Sequence, residues 1–549
     1  MHLLRVPLLC AALATSSLAQ APDPTLEKLL AEARQNSQVM PILDHLTNQI
    51  GPRLTGSQRL NEACEWARAT FASYGLEARL EKWGEVEVGF DRGASRGLLS
   101  AKNEQGQADE VPLVFGTHAW TAGTKGVQRG KALLLDKDAE IDALAARSKG
   151  AWIVVGKGGA QNKADKLCKE HGGLGIVRSG GQRILTDGNL NTRWSALPTV
   201  PVVNLRADQH QDLVERLTRG VGVELEFDIQ NHFRKGPIPV YNVIAELKGR
   251  EKPAELVIVG GHIDSWDGAT GTTDNGTGTA TTLEVARLLT VVGAKPRRTI
   301  RFMLWSGEEQ GLLGSRAYIK AHPEENARIS AVLVHDGGTN YVSGICALED
   351  MVPLFEKVFA PVLKLDPEMP FAIRPVKNLP FMIGSDHDSY LMAKVPGFFW
   401  DQKGRADYGH THHTQHDTYD AAIPEYQHHT SQVIAVGALG IANLPGLLPR
   451  RQEITGQPNA AVSPRRLGVE LDAETMTIQA VHAEGVAAAS KLKAGDKILA
   501  VEGAAVKDRT ELANALNEGG TRKKLKVLRA GKEVSVEIVF PETKKKSGG

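Results

Sequence analysis

LVIVGGHIDSWDGATGTTDNGTG, residues 256–278, opens on an apolar run of strand length and closes on a turn that starts a helix. Residues 256–259 contain no polar member, as a strand buried on both faces requires. His262 and Asp264 follow it directly. Open α/β sheets bind ligands beyond the carboxyl ends of their strands, so this edge is where a site is expected. Asp274 lies in Thr273-Asp274-Asn275-Gly276, a turn ahead of a helical pattern over 279–289. A carboxylate there can point back over the sheet edge.

The arrangement recurs downstream. Residues 299–304 read as a strand leading to Gly307-Glu308-Glu309-Gln310-Gly311, and residues 331–334 as a strand ending in His335-Asp336-Gly337-Gly338. Residues 395–400 lead to GHTHHTQHDTYD, residues 409–420, and a helical pattern covers 316–321. Strands alternating with helices predict an α/β fold: a mostly parallel mixed sheet flanked by helices. Adjacent glutamates at a buried strand end repel each other unless one binds a cation and the other titrates. Six of the 17 histidines (His410, His412, His413, His416, His428, His429) crowd into twenty positions. Carboxylate oxygens and imidazole nitrogens without thiolates suit zinc in an open catalytic site. A carboxylate able to bridge two ions suits a two-metal site.

The rest of the chain bounds the reading. At ~150 residues per domain, 549 residues predict three or four domains. A formal net charge of +1 argues against a nucleic-acid partner held by a broad basic surface. Four cysteines exclude a disulfide scaffold, and no disulfide of functional weight is expected. Residues 1–21 read as a signal peptide, with an apolar stretch too short to span a bilayer and a Ser17-Leu18-Ala19 cleavage signal. The mature protein is therefore expected to be secreted, periplasmic or extracellular, with no membrane span. Residues 22–108 are mostly helical in pattern, 109–230 form a small α/β insert, and 231–449 hold the α/β catalytic part. Residues 450–464 are a polar linker, 465–541 a compact β-rich unit and 542–549 a solvated tail.

HIDSWDGATGTTDNGTG, EEQGLLGS, the strand-end Asp336, Ser385-Asp386-His387 and HHTQHDT together resemble the co-catalytic dizinc exopeptidases. That family includes bacterial leucine aminopeptidases and carboxypeptidase Q. Ile50-Gly51-Pro52-Arg53-Leu54-Thr55-Gly56-Ser57 fits its N-terminal part. The resemblance implies a zinc exopeptidase fold, two Zn²⁺ and peptide substrates. It implies His262 and Asp336 on one zinc, Glu309 and His413 on the other, and Asp274 bridging them. Asp264 would orient His262, and Glu308 would be the general base. Among the clustered histidines, His413 is chosen because it begins the family's HTxxDT pattern. The tyrosine that relatives carry near the SDH segment is missing from Phe381-Met382-Ile383, leaving Tyr390, His387 and Tyr408 as candidates to steady the oxyanion. The 109–230 insert resembles a protease-associated domain. The C-terminal unit resembles a PDZ domain, with Arg466-Leu467-Gly468-Val469 as a loop for a peptide C-terminus. Aminopeptidase is the leading expectation and a carboxypeptidase Q-like dipeptidase the alternative. A glutaminyl cyclase or a non-catalytic adaptor would have lost part of the ligand set.

Overall fold

The computed structural model describes residues 24–102, 107–136, 141–450, 467–472, 475–481, 485–506, 512, 515–516 and 520–540. The expected signal peptide, all of the expected linker but Arg450, and the expected tail lie outside them. The chain divides into two compact units, Met1–Ile454 and Thr455–Gly549.

The strands of the first unit are β1 (Glu77–Lys102), β2 (Ala108–Pro112), β3 (Phe115–Gly116), β4 (Gln128–Leu135), β5 (Ala151–Val155), β6 (Gly175–Ser179) and β7 (Val202–Leu205). They continue with β8 (Val223–Leu247), β9 (Lys252–His262), β10 (Arg298–Trp305), β11 (Ile329–Val334), β12 (Tyr341–Leu348), β13 (Ala372–Val376) and β14 (Gly397–Lys403). All belong to one 14-stranded sheet of order β13-β12-β14-β11-β9-β10-β8-β4-β5-β6-β7-β3, with β1 beside β8 and β2 beside β1. β14, β11, β9 and β10 run parallel, so their carboxyl ends emerge on one edge. β8 and β12 flank them antiparallel, which makes the sheet mixed.

Side chains of the parallel block alternate between two dry layers. Val257, Val259, Phe302 and Leu304 pack with Phe71 of the helix Gln58–Ser73 and with Leu283 and Leu288 of the helix Thr277–Val291. Ile258, Met303, Trp305 and Val332 face the other way, onto Tyr318 and Tyr390. Burial on both faces explains the unbroken apolar runs. Ser57 caps Gln58–Ser73 by accepting the Leu60 N–H at 3.0 Å.

The reading of 22–108 as mostly helical is corrected. Pro24–Gln35 and Gln58–Ser73 are helices, but 77–102 are one 26-residue strand. Its signal was the period-two set Val86, Val88 and Phe90, all buried, diluted by glycines and charges on either side. β1 pairs with β8 from Glu77 opposite Glu246 to Ala101 opposite Val223. β8 therefore passes through residue 230 without a break, and the insert strands β4 to β7 extend the peptidase sheet. The insert keeps its own core around Trp152, Val154, Val177, Val203 and Phe227. Cys64, Cys168 and Cys346 are buried free thiols.

In the second unit Val469–Leu471 pairs with Ile478–Val481. A four-stranded sheet joins Lys497–Val501, Ala504–Ala505, Arg522–Arg529 and Lys532–Val539. Leu467, Ile478, Leu492, Ile498, Leu525 and Ile538 fill its core. Within LKAGDKIL, buried Asp496 accepts the Lys493 N–H at 2.9 Å and pairs with Arg529 at 2.7 Å.

Phe302 lies in the middle of the first layer, its ring centroid 5.9 Å from that of Phe71. Phe302→Ala is expected to cost about 3–5 kcal/mol, read as a lower denaturant midpoint for the first unit.

Candidate metal centre and active site

The parallel edge gathers the sequence-predicted residues. His262 is the last residue of β9, Glu308 and Glu309 follow β10, and Asp336 follows β11. Asp274 sits in the turn before Thr277–Val291. This turn must lie close under the sheet edge: a Cβ on Gly278 would meet the His335 carbonyl oxygen at 2.2 Å, and one on Gly261 would meet it at 2.7 Å. Glycine at both positions lets the helix start approach β9 and β11. Asn275 braces the approach by donating to the His335 carbonyl at 2.9 Å.

The donors fall into two sets that share Asp274. His262 Nε2 lies 3.2 Å from Asp274 Oδ1 and 3.5 Å from Asp336 Oδ1. His413 Nε2 lies 3.1 Å from Asp274 Oδ2 and 2.9 Å from Glu309 Oε2. Two donors ~2.0–2.1 Å from one tetrahedral zinc are about 3.3 Å apart, so His262, Asp274 and Asp336 have the spacing of a zinc site, and His413 stands at that spacing from both Asp274 and Glu309. His262 Nε2 and Asp274 Oδ2 are buried without a hydrogen bond, leaving lone pairs aimed at the shared centre. Glu308 Oε2 is 3.8 Å from His262 Nε2, at the rim of the first set.

Other histidines stand farther off. His412 Nε2 is 3.7 Å from Asp274 Oδ2, and its half-exposed ring lies against that of His413. His410 and His416 stack on each other at 4.2 Å. His413 itself has φ of 56°, uncommon for a side-chain-bearing residue, and its carbonyl accepts the Thr186 N–H at 2.8 Å. Of the oxyanion candidates, Tyr390 is fully buried with its hydroxyl 3.6 Å from Met303 Sδ, in the layer behind the sheet. Buried His387 packs against Phe399. The Tyr408 ring lies tilted against that of His412, with centroids 4.9 Å apart. Burial, with Asp274, Asp336 and Glu309 nearby, raises its hydroxyl well above the usual range.

Electrostatics reflect crowded carboxylates. Burial, reinforced by Asp336 and Glu309, pushes Glu308 well above the carboxylate range. Burial and Asp274 lift Glu309 to about 7. Burial opposes the protonated form of His413, yet Asp274 and Glu309 outweigh it and raise the imidazole to about 10. Cations bound between these groups would relieve the same repulsion.

Supporting residues complete the frame, and several were not singled out in the sequence. His262 Nδ1 lies 3.0 Å from the Asp264 backbone carbonyl, which fixes the tautomer that frees Nε2. The Asp264 carboxylate stands farther from that ring, at 3.6 Å, and instead accepts the N–H groups of Glu308 and Glu309, each at 3.3 Å, and the Thr55 hydroxyl at 3.1 Å. It shapes the glutamate turn as much as the histidine. Asp417 accepts the N–H groups of Thr273 at 2.6 Å and Asp274 at 3.2 Å. Fully buried Arg53 donates to the carbonyls of Ile263, Gly51, Thr270 and Gly271 at 2.7–3.0 Å, joining the two loops. Ser385 donates to Asp336 Oδ2 at 2.6 Å. Arg53 and Thr55 lie in IGPRLTGS and Asp417 in HHTQHDT, so the signal was present but gave no role.

Residues 242–437 match peptidase family M28, and residues 465–539 match the PDZ domain. The chain carries a peptidase M28 domain and a PDZ domain. Carboxypeptidase Q of Xenopus laevis is 30% identical over 265 residues, covering 46% of this chain and 52% of that protein, about half its length. Carboxypeptidase Q of Mus musculus is 23% identical over 426 residues, covering 74% of this chain and 86% of that protein. The crystal structure of a peptidase M28 precursor from Shewanella amazonensis SB2B superposes with a TM-score of 0.54 at 25% identity, covering 78% of this chain and 98% of that one. All residues of both donor sets fall inside the M28 match. Arg53 and Thr55 lie outside it, although they brace the site.

Asp417→Ala removes the acceptor that holds the Asp274 backbone. Zinc affinity, measured by competition with a chelator, is expected to fall about 10–100-fold, the range for residues that orient metal ligands.

Proposed function

We propose that this chain is a secreted exopeptidase that binds two zinc ions and removes N-terminal residues from peptides. The carrying observation is the pair of donor sets joined through one carboxylate, His262–Asp274–Asp336 and His413–Asp274–Glu309, with Glu308 beside them. His262 and Asp336 would hold one zinc, His413 and Glu309 the other, and Asp274 both. Zinc at such a site acidifies water and polarises a carbonyl. Glu308 is the general base: its carboxylate, 3.8 Å from His262 Nε2 at the rim of the first set, is placed to accept a proton from the attacking water and return it to the leaving amine. Asp264 keeps Glu308 and Glu309 in register through their backbone N–H groups. In the domain plan, residues 22–108 and 231–449 form the peptidase, 109–230 a protease-associated insert, and 465–541 a PDZ domain for a peptide C-terminus.

Charge favours the N-terminal end of a substrate. Among the described residues, the cavity at the second donor set is lined by Asp274, Glu309 and Asp417 and by no lysine or arginine. Arg53 is spent on four carbonyls. No ammonium or guanidinium group lines it that could pair with the free carboxylate of a substrate C-terminus. The reach of the match to mouse carboxypeptidase Q, 86% of that protein, supports the second reading, a dipeptidase of that type. The complete donor sets speak against a cyclase or a non-catalytic adaptor.

Elemental analysis is expected to give two zincs per chain; a stoichiometry near zero with undiminished activity would refute the metal mechanism. Glu308→Gln should keep both zincs while kcat falls by on the order of 10²–10⁴ with KM nearly unchanged. Glu309→Ala should lose one zinc; the opposite pattern would reverse the two roles. On peptides with one terminus blocked at a time, N-terminal acetylation should abolish cleavage and C-terminal amidation should not. Loss on amidation would favour the carboxypeptidase reading.

A further inference from the structure

Trp266 lies in the loop that follows β9, and its side chain is buried in an apolar cluster with Leu54, Val88, Phe90, Ala119 and Trp120. That cluster draws on the segment before the helix Gln58–Ser73, on β1 and on the start of the insert. The next residue, Asp267, is buried too, and Arg92 of β1 holds its carboxylate with two bonds of 3.0 Å. The loop is therefore fixed both by the indole and by its neighbour.

From this position Trp266 touches both residues that belong to the second donor set alone. Its backbone N–H donates to Glu309 Oε1 at 3.3 Å, which leaves Oε2 to face His413 Nε2 at 2.9 Å. Its indole meets the His413 imidazole in a T-shaped contact, centroids 6.0 Å apart and planes at 69°. Aromatic rings favour that arrangement. Trp266 also lines the cavity at this set, beside Asp274, Glu309 and His413.

His413 depends on such a neighbour. Metal-binding histidines are ordinarily oriented by a hydrogen bond on the ring nitrogen that does not bind the metal. His262 has one, between Nδ1 and the Asp264 carbonyl. His413 meets Asp274 and Glu309 through Nε2, and among the described residues no protein group is bonded to its Nδ1. Ring contacts must orient it instead. One comes from His412, whose side chain is 47% exposed and lightly held. The other comes from Trp266, which is 8% exposed and locked in its cluster.

We propose that Trp266 is the positioning residue of the second zinc site, its indole setting the orientation of His413 and its N–H that of Glu309. The inference rests on the two-zinc reading, and its test uses the full chain with a readout that needs no turnover. Cadmium NMR gives one resonance for each occupied site, and the resonance missing from Glu309→Ala marks the second one. Competition with a chelator measures the affinity of each site. Trp266→Leu fills the apolar cluster without an aromatic ring. It is expected to shift the second resonance, leave the first in place and weaken the second zinc about 10–100-fold. Trp266→Phe keeps a ring against His413 and should bind the second zinc within about threefold of the native chain. Saturating zinc should restore kcat to Trp266→Leu, which a general loss of structure would not allow. Equal weakening of both sites, an unchanged second site in Trp266→Leu, or a Trp266→Phe as weak as Trp266→Leu overturns the positioning role and leaves the two-zinc centre standing. A native chain that binds fewer than two metal ions overturns both.

Discussion

Asp274 divides its carboxylate between two imidazoles, Oδ1 toward His262 and Oδ2 toward His413, and the rest of the site is arranged around that division. A buried carboxylate facing other buried carboxylates is unfavourable unless positive charge lies between them. Asp264, Glu308, Asp336, Asp386 and Asp417 are all buried here. Most are held by donors aimed at them: backbone N–H groups for Asp264 and Asp417, and a hydroxyl for Asp336. These bonds fix positions without neutralising charge, which leaves the two donor sets as places where cations are stabilised.

The parallel strands make this concentration possible. β14, β11, β9 and β10 end on one side, so short strand-end turns converge from residues more than a hundred positions apart. Packing on both faces keeps those ends rigid, and Arg53 adds a charged clamp between the loop carrying Asp264 and the one carrying Asp274. A lysine could not span four carbonyls with the same geometry, because its donors radiate from one point.

The insert belongs to the same sheet. β1 and β8 run from the catalytic block into it without a break, and its 183–186 segment returns to the His413 loop. Moving the insert would move the carbonyl of a residue already in a left-handed conformation. The insert and the candidate metal centre are therefore mechanically joined, which a loosely attached domain would not achieve.

The strand-end pattern LVIVGGHID, the paired glutamates and the turn at Asp274 were legible because strand burial and turn chemistry are local: a few residues suffice to state them. The α/β class and the donor types followed from that. The long strand β1 was not legible, since its pairing with β8 spans more than a hundred residues and its alternation is interrupted by glycines and charges. Nor could spacing alone separate His413 from His412, one position away; the distances to Asp274 and Glu309 depend on a backbone turn held by Thr186 from the insert. The roles of Arg53, Asp417 and the Asp264 carboxylate were likewise decided only in three dimensions. Each acts on backbone groups of a distant loop, and backbone groups carry no sequence signature. The sequence by itself determined which chemistry the strand ends can offer; the tertiary structure decided which atoms meet, because meeting depends on loops packed from three separate parts of the chain.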